Sequence, residues 1–228
     1  MVHSIIPCGG KGLRLGSDTP KQYLPLQSIP IVVHTMLKFQ NELEVSHIHI
    51  AAEEQYHSHF WQWKEQYGIS KLSTVIKGGS ERQLSIYEVL QHIKTEADDI
   101  ILVHDAVRPF VSSALIRRVI SDTKKHSAVI PAIPISDTIK RKDSQNFIIE
   151  TVDRSSLVSV QTPQGFSALV IQKAYEYAIT TSFLGTDDSS LVENINVPVF
   201  CTEGEQSNMK ITTKEDIVKA EFILSSLS

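Results

Sequence analysis

The chain has 228 residues, enough for one large domain with a substantial buried core. Its 41% hydrophobic and 21% charged residues are typical of a globular protein, and a net charge of −4 argues against a general nucleic-acid or membrane surface. The two cysteines, Cys8 and Cys201, have no metal-like spacing and do not indicate a disulfide framework.

The first ten residues, MVHSIIPCGG, lack the basic region and the long apolar core of a secretory signal. No uninterrupted apolar segment approaches the roughly 20 residues that a membrane span requires. We therefore expect a cytoplasmic protein with neither a membrane nor a nucleic acid as partner.

Short β-rich runs alternate with longer amphipathic segments over the first 133 residues. Strands are predicted at 3–7, 46–52, 73–79, 99–106 and 127–133. Helices are predicted at 31–41, 54–67, 80–95 and 113–125, and a capping box of Ser80 and Gln83 is expected to open the third. This repeated strand–helix pattern predicts an α/β fold with three layers and a mostly parallel sheet.

The alternation breaks at about residue 135, where a polar stretch flanked by β-prone segments predicts a projecting hairpin, or β-arm, at about 135–160. Beyond it we predict helices near 167–180 and 187–194, a strand at 197–203 and a closing helix at 213–226. Residues 1–228 are interpreted as a single domain with the β-arm as its subdomain. Because an extended hairpin is marginal alone, we expect it to pack against a partner, most simply a second copy of the chain.

The segment IIPCGGKGLRLGSDTPKQYLPL, residues 5–26, gathers four glycines, two lysines and an arginine behind an apolar run. Glycines let backbone N–H groups converge, which beside Lys and Arg suits a polyphosphate; an exposed turn is the alternative. A P-loop is excluded because Gly12 follows Lys11 where Ser or Thr is needed. A dinucleotide-binding fingerprint is excluded because the glycine spacing is one residue too long and no acid follows near residues 30–33.

Ligands of open α/β sheets bind beyond the carboxyl ends of the strands. Three segments of this chain fall at such ends: the glycine-rich loop, KGGSER and HDAVRP. We expect them to border one site.

The segment GGKGLRLGSDTPKQYLPL resembles the signature of sugar-nucleotidyltransferase-type enzymes. The motifs KGGSERQLSIYEVL, VHDAVRPFV, TVDRSSLVSVQTPQGF, TDDSSLVE and MKITTKEDIVKAE then follow in the order found in 2-C-methyl-D-erythritol 4-phosphate cytidylyltransferases. The resemblance runs from about Ile5 to Glu221. It implies a Rossmann-like nucleotidyltransferase fold with a dimerising β-arm, and hence a homodimer.

The activity implied by the resemblance joins CTP and 2-C-methyl-D-erythritol 4-phosphate to give 4-diphosphocytidyl-2-C-methyl-D-erythritol and pyrophosphate, in non-mevalonate isoprenoid biosynthesis. By the same resemblance, Arg14 and Lys21 are the catalytic residues that stabilise the transition state at the α-phosphate of CTP. The resemblance assigns CTP binding to Cys8, Gly9, Gly10, Lys11, Gly12, Gly79, Arg82 and Ser85. Asp105 follows the run IILV, so we expect it at the carboxyl end of a strand, where it would bind the ribose of CTP or the metal, and Arg108 is expected to bind a CTP phosphate. For Arg108, pairing with Asp105 is an equally good explanation.

The resemblance also implies a second-substrate site. Thr138 and Arg154 match residues that reach the methylerythritol phosphate from the neighbouring subunit, and Lys210 matches a lysine that positions the same phosphate. Mg²⁺ or another divalent cation is expected, mainly on the CTP phosphates, with Asp105 as a candidate protein ligand.

Two other functions stay open at this point. Ribitol-5-phosphate cytidylyltransferases share the loop and the motif HDAVRPF, whereas GGSERQLS, TVDRSSL, TDDSSLVE and EGEQSNMKITT favour methylerythritol phosphate. A non-catalytic nucleotide-binding regulator is the third possibility. The presence of both Arg14 and Lys21 argues against it, because a sensor has no transition state to stabilise.

Overall fold

A computed structural model gives the fold and describes residues 1–9 and 19–227. The strands, in chain order, are β1 Val2–Pro7, β2 Pro25–Leu26, β3 Ile29–Pro30, β4 His47–Ala52, β5 Leu72–Lys77, β6 Ile100–Val103, β7 Ala128–Pro134, β8 Ile139–Lys142, β9 Ile148–Val152, β10 Val158–Val160, β11 Gln164–Ser167 and β12 Phe200–Glu203. The α-helices are α1 Ile31–Gln40, α2 His57–Tyr67, α3 Arg82–His92, α4 Ser113–His126, α5 Ala168–Thr181, α6 Asp188–Asn194 and α7 Lys214–Leu227.

The main sheet has the order β10-β7-β11-β6-β1-β4-β5. Its eighth strand, β12, lies outside this order and pairs with β7. Strands β6, β1, β4 and β5 are parallel neighbours, and β12 is parallel to β7. Helices cover both faces: α1, α2 and α4 contribute to one buried cluster, and α3, α5 and α6 to another. The predicted three-layer α/β fold with a mostly parallel sheet is confirmed.

Strand β11 was missed by the sequence interpretation. It lies antiparallel between β6 and β7, with Phe166 opposite Ile101 on one side and Ala128 on the other. A Cβ at Gly165 would lie 2.3 Å from Thr123 Oγ1 of α4. Only glycine therefore lets this strand pass so close beneath that helix.

Helix α4 shows why the helix predictions succeed where the pattern is strongly amphipathic. Its buried residues Leu115, Ile116, Val119 and Ile120 recur at helical spacing, and its last turn carries Lys124, Lys125 and His126. The Ser112 hydroxyl accepts from the Leu115 N–H at 3.0 Å and caps the first turn.

The predicted capping box of Ser80 and Gln83 is wrong. Helix α3 begins at Arg82 with Glu81 as the N-cap, and no side chain caps it. Gln83 instead donates to the Phe183 carbonyl at 2.9 Å and accepts from the Gly185 N–H at 3.0 Å. Both polar groups of the Gln83 side chain therefore bond to the loop before α6, and the side chain does not cap helix α3.

Strands β8 and β9 form a separate antiparallel sheet of two strands in the predicted β-arm. Phe147, Ile148 and Ile149 at its far end are exposed. Over residues 1–9 and 19–227, no helix combines the length and the apolar character needed to cross a bilayer.

Candidate active site

A cleft of about 570 Å³ opens at the carboxyl ends of β1 and β6. These strands are parallel neighbours, so the residues that follow them meet at one edge of the sheet. Six of the predicted site residues line it: Cys8, Gly9, Lys21, Arg82, Asp105 and Lys210. The predicted residues Gly10, Lys11, Gly12 and Arg14 lie outside the described residues.

The backbone of Cys8 is engaged on both sides where β1 ends. Its N–H donates to the Ala51 carbonyl at 2.7 Å, and its carbonyl accepts from Gln22 Nε2 at 2.5 Å. The thiol is buried, which raises its pKa, so it stays protonated. Within the described part of this loop, Cys8 therefore anchors the end of β1.

Lys21 opens a short 3₁₀ helix, Lys21–Tyr23, whose geometry is fixed by its next two residues. The buried Gln22 side chain ties this helix to Cys8. The Tyr23 ring stacks on Tyr56, with centroids 3.9 Å apart, and its hydroxyl is 3.5 Å from the Cys8 carbonyl. Lys21 is thus held on a packed element that borders the cleft.

Close backbone packing joins Gly79 to the first turns of α3. A Cβ at Gly79 would lie 2.5 Å from Leu84 Cβ, so the loop requires glycine there. The buried Ser85 hydroxyl donates to the Glu81 carbonyl at 2.9 Å and lies 3.3 Å from the Gly79 carbonyl. Neither is among the described residues that line the cleft, and their predicted contact with CTP stays a prediction.

Asp105 is the centre of a charge cluster. Lys210 Nζ lies 2.8 Å from Oδ2, Arg108 Nε 3.4 Å from Oδ2 and Arg82 Nε 3.5 Å from Oδ1. Burial alone would raise the pKa of Asp105, but Arg82, Lys210 and Arg108 outweigh it and hold that pKa well below its usual range. The carboxylate is therefore ionised at neutral pH.

Arg108 is buried and is not among the described residues that line the cleft. Besides Asp105, its guanidinium donates from Nη1 to the Asn208 carbonyl at 2.7 Å. Asn208 is two residues from Lys210, and its side chain donates to the Thr162 carbonyl at 2.8 Å. The pairing with Asp105 that the sequence left open is present, and Arg108 connects it to the segment carrying Lys210.

Asp188 and Tyr175 belong to the same network, although the sequence interpretation gave neither a role. Asp188 accepts from Arg82 Nη1 at 3.0 Å and Nη2 at 2.8 Å, and from the Tyr175 hydroxyl at 2.5 Å. The motif TDDSSLVE was the available signal, because it places two adjacent carboxylates at the start of a predicted helix. Its partner, 106 residues earlier, could not be read from the chain.

Thr138 and Arg154 do not line the cleft formed by the described residues of their own chain. Both are exposed at the base of the β-arm, where Arg154 Nη1 donates to the Ser136 carbonyl. This position agrees with the expectation that they act on a neighbouring subunit, which stays a prediction.

In the described residues, no three His, Cys, Asp or Glu side chains are grouped as a metal site. Asp105, the predicted candidate ligand, is surrounded by three cationic groups within 3.5 Å. Those cations would repel a divalent ion, so the site does not fit a metal held by this carboxylate.

An α/β fold in which Lys21, Arg82 and Lys210 line one cleft at the strand ends suits an enzyme that acts on phosphate groups, such as a nucleotidyltransferase. The profile of the 2-C-methyl-D-erythritol 4-phosphate cytidylyltransferase (IspD) family matches residues 2–226. The chain belongs to this family, and the predicted CTP-dependent cytidylyltransferase activity is confirmed.

Similar proteins agree over nearly the whole chain. Enzymes named 2-C-methyl-D-erythritol 4-phosphate cytidylyltransferase from Bacillus cereus and Bacillus cytotoxicus are 41% and 43% identical, each over 98% of this chain and 98% of the relative. The crystal structure of 4-diphosphocytidyl-2C-methyl-D-erythritol synthase from Anaerococcus prevotii is 30% identical, with a TM-score of 0.85, and covers 98% of this chain and 96% of that one.

Proposed function

We propose that the cleft between Lys21 and Lys210 is where this chain joins CTP and 2-C-methyl-D-erythritol 4-phosphate. The observation that carries the proposal is the convergence of Lys21, Arg82, Asp105 and Lys210 on one space of about 570 Å³, in a chain of this family. That volume is within the range of small-molecule sites.

In the proposed reaction, a phosphate oxygen of the methylerythritol phosphate attacks the α-phosphorus of CTP. A P–O bond forms there while the bond to the departing pyrophosphate breaks, so phosphorus keeps its oxidation state and no proton need be removed. The nucleophile is already an anion at neutral pH, and the barrier lies in bringing anions together. Lys21 and Arg14 are proposed to neutralise the transition state, and Lys210 the incoming phosphate.

Mg²⁺ is proposed as the counter-ion of the CTP phosphates, where it neutralises phosphate oxygens when bound. The cations around Asp105 favour binding through the nucleotide over binding through that carboxylate. The protein's own part is to align the two phosphates and to hold Lys21 through Gln22 and the packed Tyr23.

Pyrophosphate release with CTP and each of two polyol phosphates tests the substrate. We expect turnover with 2-C-methyl-D-erythritol 4-phosphate and at least a tenfold lower kcat/KM with ribitol 5-phosphate. A preference for ribitol 5-phosphate would favour the alternative cytidylyltransferase. No turnover with either, together with binding of CTP, would favour the regulator.

The proposed homodimer is supported by the exposed apolar tip of the β-arm and by the fact that Arg154 is not among the described residues that line the cleft of its own chain. Mixing Lys21→Ala and Arg154→Ala subunits tests it. If Arg154 acts on the neighbouring subunit, random re-pairing leaves one intact site in each mixed dimer, and about one quarter of the wild-type activity returns. Activity that stays at the sum of the two variants would contradict this arrangement.

The free thiols Cys8 and Cys201 suit the proposed cytoplasmic location.

A further inference from the structure

The Arg82–Asp188 ion pair extends the charge cluster around Asp105 to a residue that is not among those lining the main cleft. Asp188 is the first residue of α6 and is 0% exposed. Both of its carboxylate oxygens accept from Arg82, at 3.0 and 2.8 Å, in the bidentate geometry that fixes a guanidinium in one plane. A buried carboxylate with this geometry restricts where the Arg82 side chain can point.

Tyr175 on α5 fixes Asp188 in turn. Its ring is 1% exposed, and its hydroxyl donates to Asp188 Oδ1 at 2.5 Å. Burial and the neighbouring Asp188 raise the pKa of Tyr175 well above its ordinary value, so the hydroxyl keeps its proton and remains a donor. Two helices that do not border the main cleft thus converge on one arginine that does.

Arg82 also lines the cleft, where it contacts Asp105 through Nε. Arg82 Nε is 3.5 Å from Asp105 Oδ1, while Lys210 Nζ is 2.8 Å from Asp105 Oδ2. Arg82 therefore contacts one carboxylate oxygen, and Lys210 contacts the other, which also lies 3.4 Å from Arg108 Nε. Arg82 is prevented from taking both oxygens because its Nη1 and Nη2 are bound to Asp188.

We infer that Asp188, oriented by the Tyr175 hydroxyl, is a positioning residue that keeps Arg82 away from the Asp105 oxygen that Lys210 contacts. Without the charge at position 188, Arg82 is free to turn its two terminal nitrogens toward Asp105 and displace Lys210. Lys210 then loses the contact that places it over the cleft. The inference rests on the proposed role of Lys210, and it names two residues that act on the reaction through Arg82.

Two substitutions of Asp188 separate a positioning role from a packing role. Asp188→Asn keeps the shape and removes the charge, whereas Asp188→Glu keeps the charge and changes the shape. A packing role predicts that Asn is tolerated better than Glu; a positioning role predicts the reverse. We expect kcat/KM to fall about 100-fold in Asp188→Asn, with Asp188→Glu at least tenfold more active than Asn.

Tyr175→Phe removes a single hydroxyl and is the variant of choice if Asp188→Asn does not fold. We expect it to lower kcat/KM about tenfold. Tyr177→Phe is the matched control, because Tyr177 lies on the same helix and is 48% exposed. Asp98→Asn, at an exposed aspartate, controls for the loss of a carboxylate. Neither control should change kcat/KM by more than twofold.

A double-mutant cycle tests whether the effect passes through Lys210. In a Lys210→Ala background, Asp188→Asn should lower kcat/KM less than threefold, since no lysine is left to displace. Equal losses in the two backgrounds would overturn the inference, and so would an Asn variant as active as Glu. Failure of the proposed function itself would be seen separately, as a wild-type protein that releases no pyrophosphate.

Discussion

Replacing Asp105 by Asn tests the charge cluster as a determinant of stability. The change keeps the size of the side chain and leaves the buried Arg108 without its counter-ion at 3.4 Å. Breaking a buried pair by removing one partner costs about 3–5 kcal/mol. We expect the lower end, about 3 kcal/mol, because Arg82 keeps Asp188 and the Lys210 side chain is 41% exposed to water.

The assay is urea unfolding at pH 7 and at several values below pH 4, supported by thermal unfolding. For a chain of this size, 3 kcal/mol corresponds to a fall in Tm of about 6–12 °C. The cationic neighbours lower the pKa of Asp105 in the folded protein, while the unfolded value is about 3.9. The stabilisation is therefore complete above pH 4 and is lost as the pH falls further towards the folded pKa.

The difference between wild type and Asp105→Asn should accordingly be full at pH 7 and shrink below pH 4. Asp98→Asn, at an exposed position, is the control and should unfold like the wild type. Equal unfolding midpoints for Asp105→Asn and wild type at pH 7 would refute the reasoning. A difference of the same size at every pH would show that the lost interaction is not ionic.

Lys21→Ala should lower kcat by about 100- to 1,000-fold, because it removes one cation that stabilises the transition state. The Tm should not change, because the 3₁₀ helix that carries Lys21 stays packed. Near-normal turnover would show that the role of Lys21 is misassigned. Gly79→Ala should destabilise the protein by about 1–3 kcal/mol in urea unfolding, because its Cβ would lie 2.5 Å from Leu84 Cβ, and wild-type stability would contradict the packing. Burial, then neighbouring histidines, lower the pKa of His49 to about 3, below the unfolded value of about 6.5, so its contribution to stability is lost as the pH falls through that window. That loss is about 2 kcal/mol between pH 7 and pH 5. The urea midpoint of His49→Gln should therefore depend less on pH than that of the wild type, and an identical pH dependence would rule out His49 as the source.

The parallel part of the sheet was predictable because its strands and helices have strong and different hydrophobic periods. Strand β11 was not, since Gln164–Ser167 is four residues long, contains a glycine and has no alternation of its own. It becomes a strand because β6 and β7 supply partners on both sides. Tertiary pairing, which the local sequence does not encode, decides its structure.

In the candidate active site, too, some residues could be placed from the sequence and others depend on tertiary packing. Lys21, Arg82 and Asp105 could be placed together because strand ends of a parallel sheet share an edge, and Lys210 because of the family resemblance. Asp188 could not be placed, because a buried pair linking residues 82 and 188 depends on how α3 and α6 pack. The capping box failed for a related reason: Gln83 finds better partners in a distant loop than in its own helix.

The place of β11 between β6 and β7 also bears on how the chain comes off the ribosome. Strand β6 ends at Val103, but β11, which pairs with its second edge, begins at Gln164. That edge of β6 therefore stays unpaired until about 60 further residues have been synthesised. At about 5–20 residues per second, that wait is roughly 3–12 s of synthesis. Lys210 arrives later still, so the nascent chain has an open, pairing-prone edge well before it has a complete catalytic pocket, and protease digestion of stalled chains would register that interval.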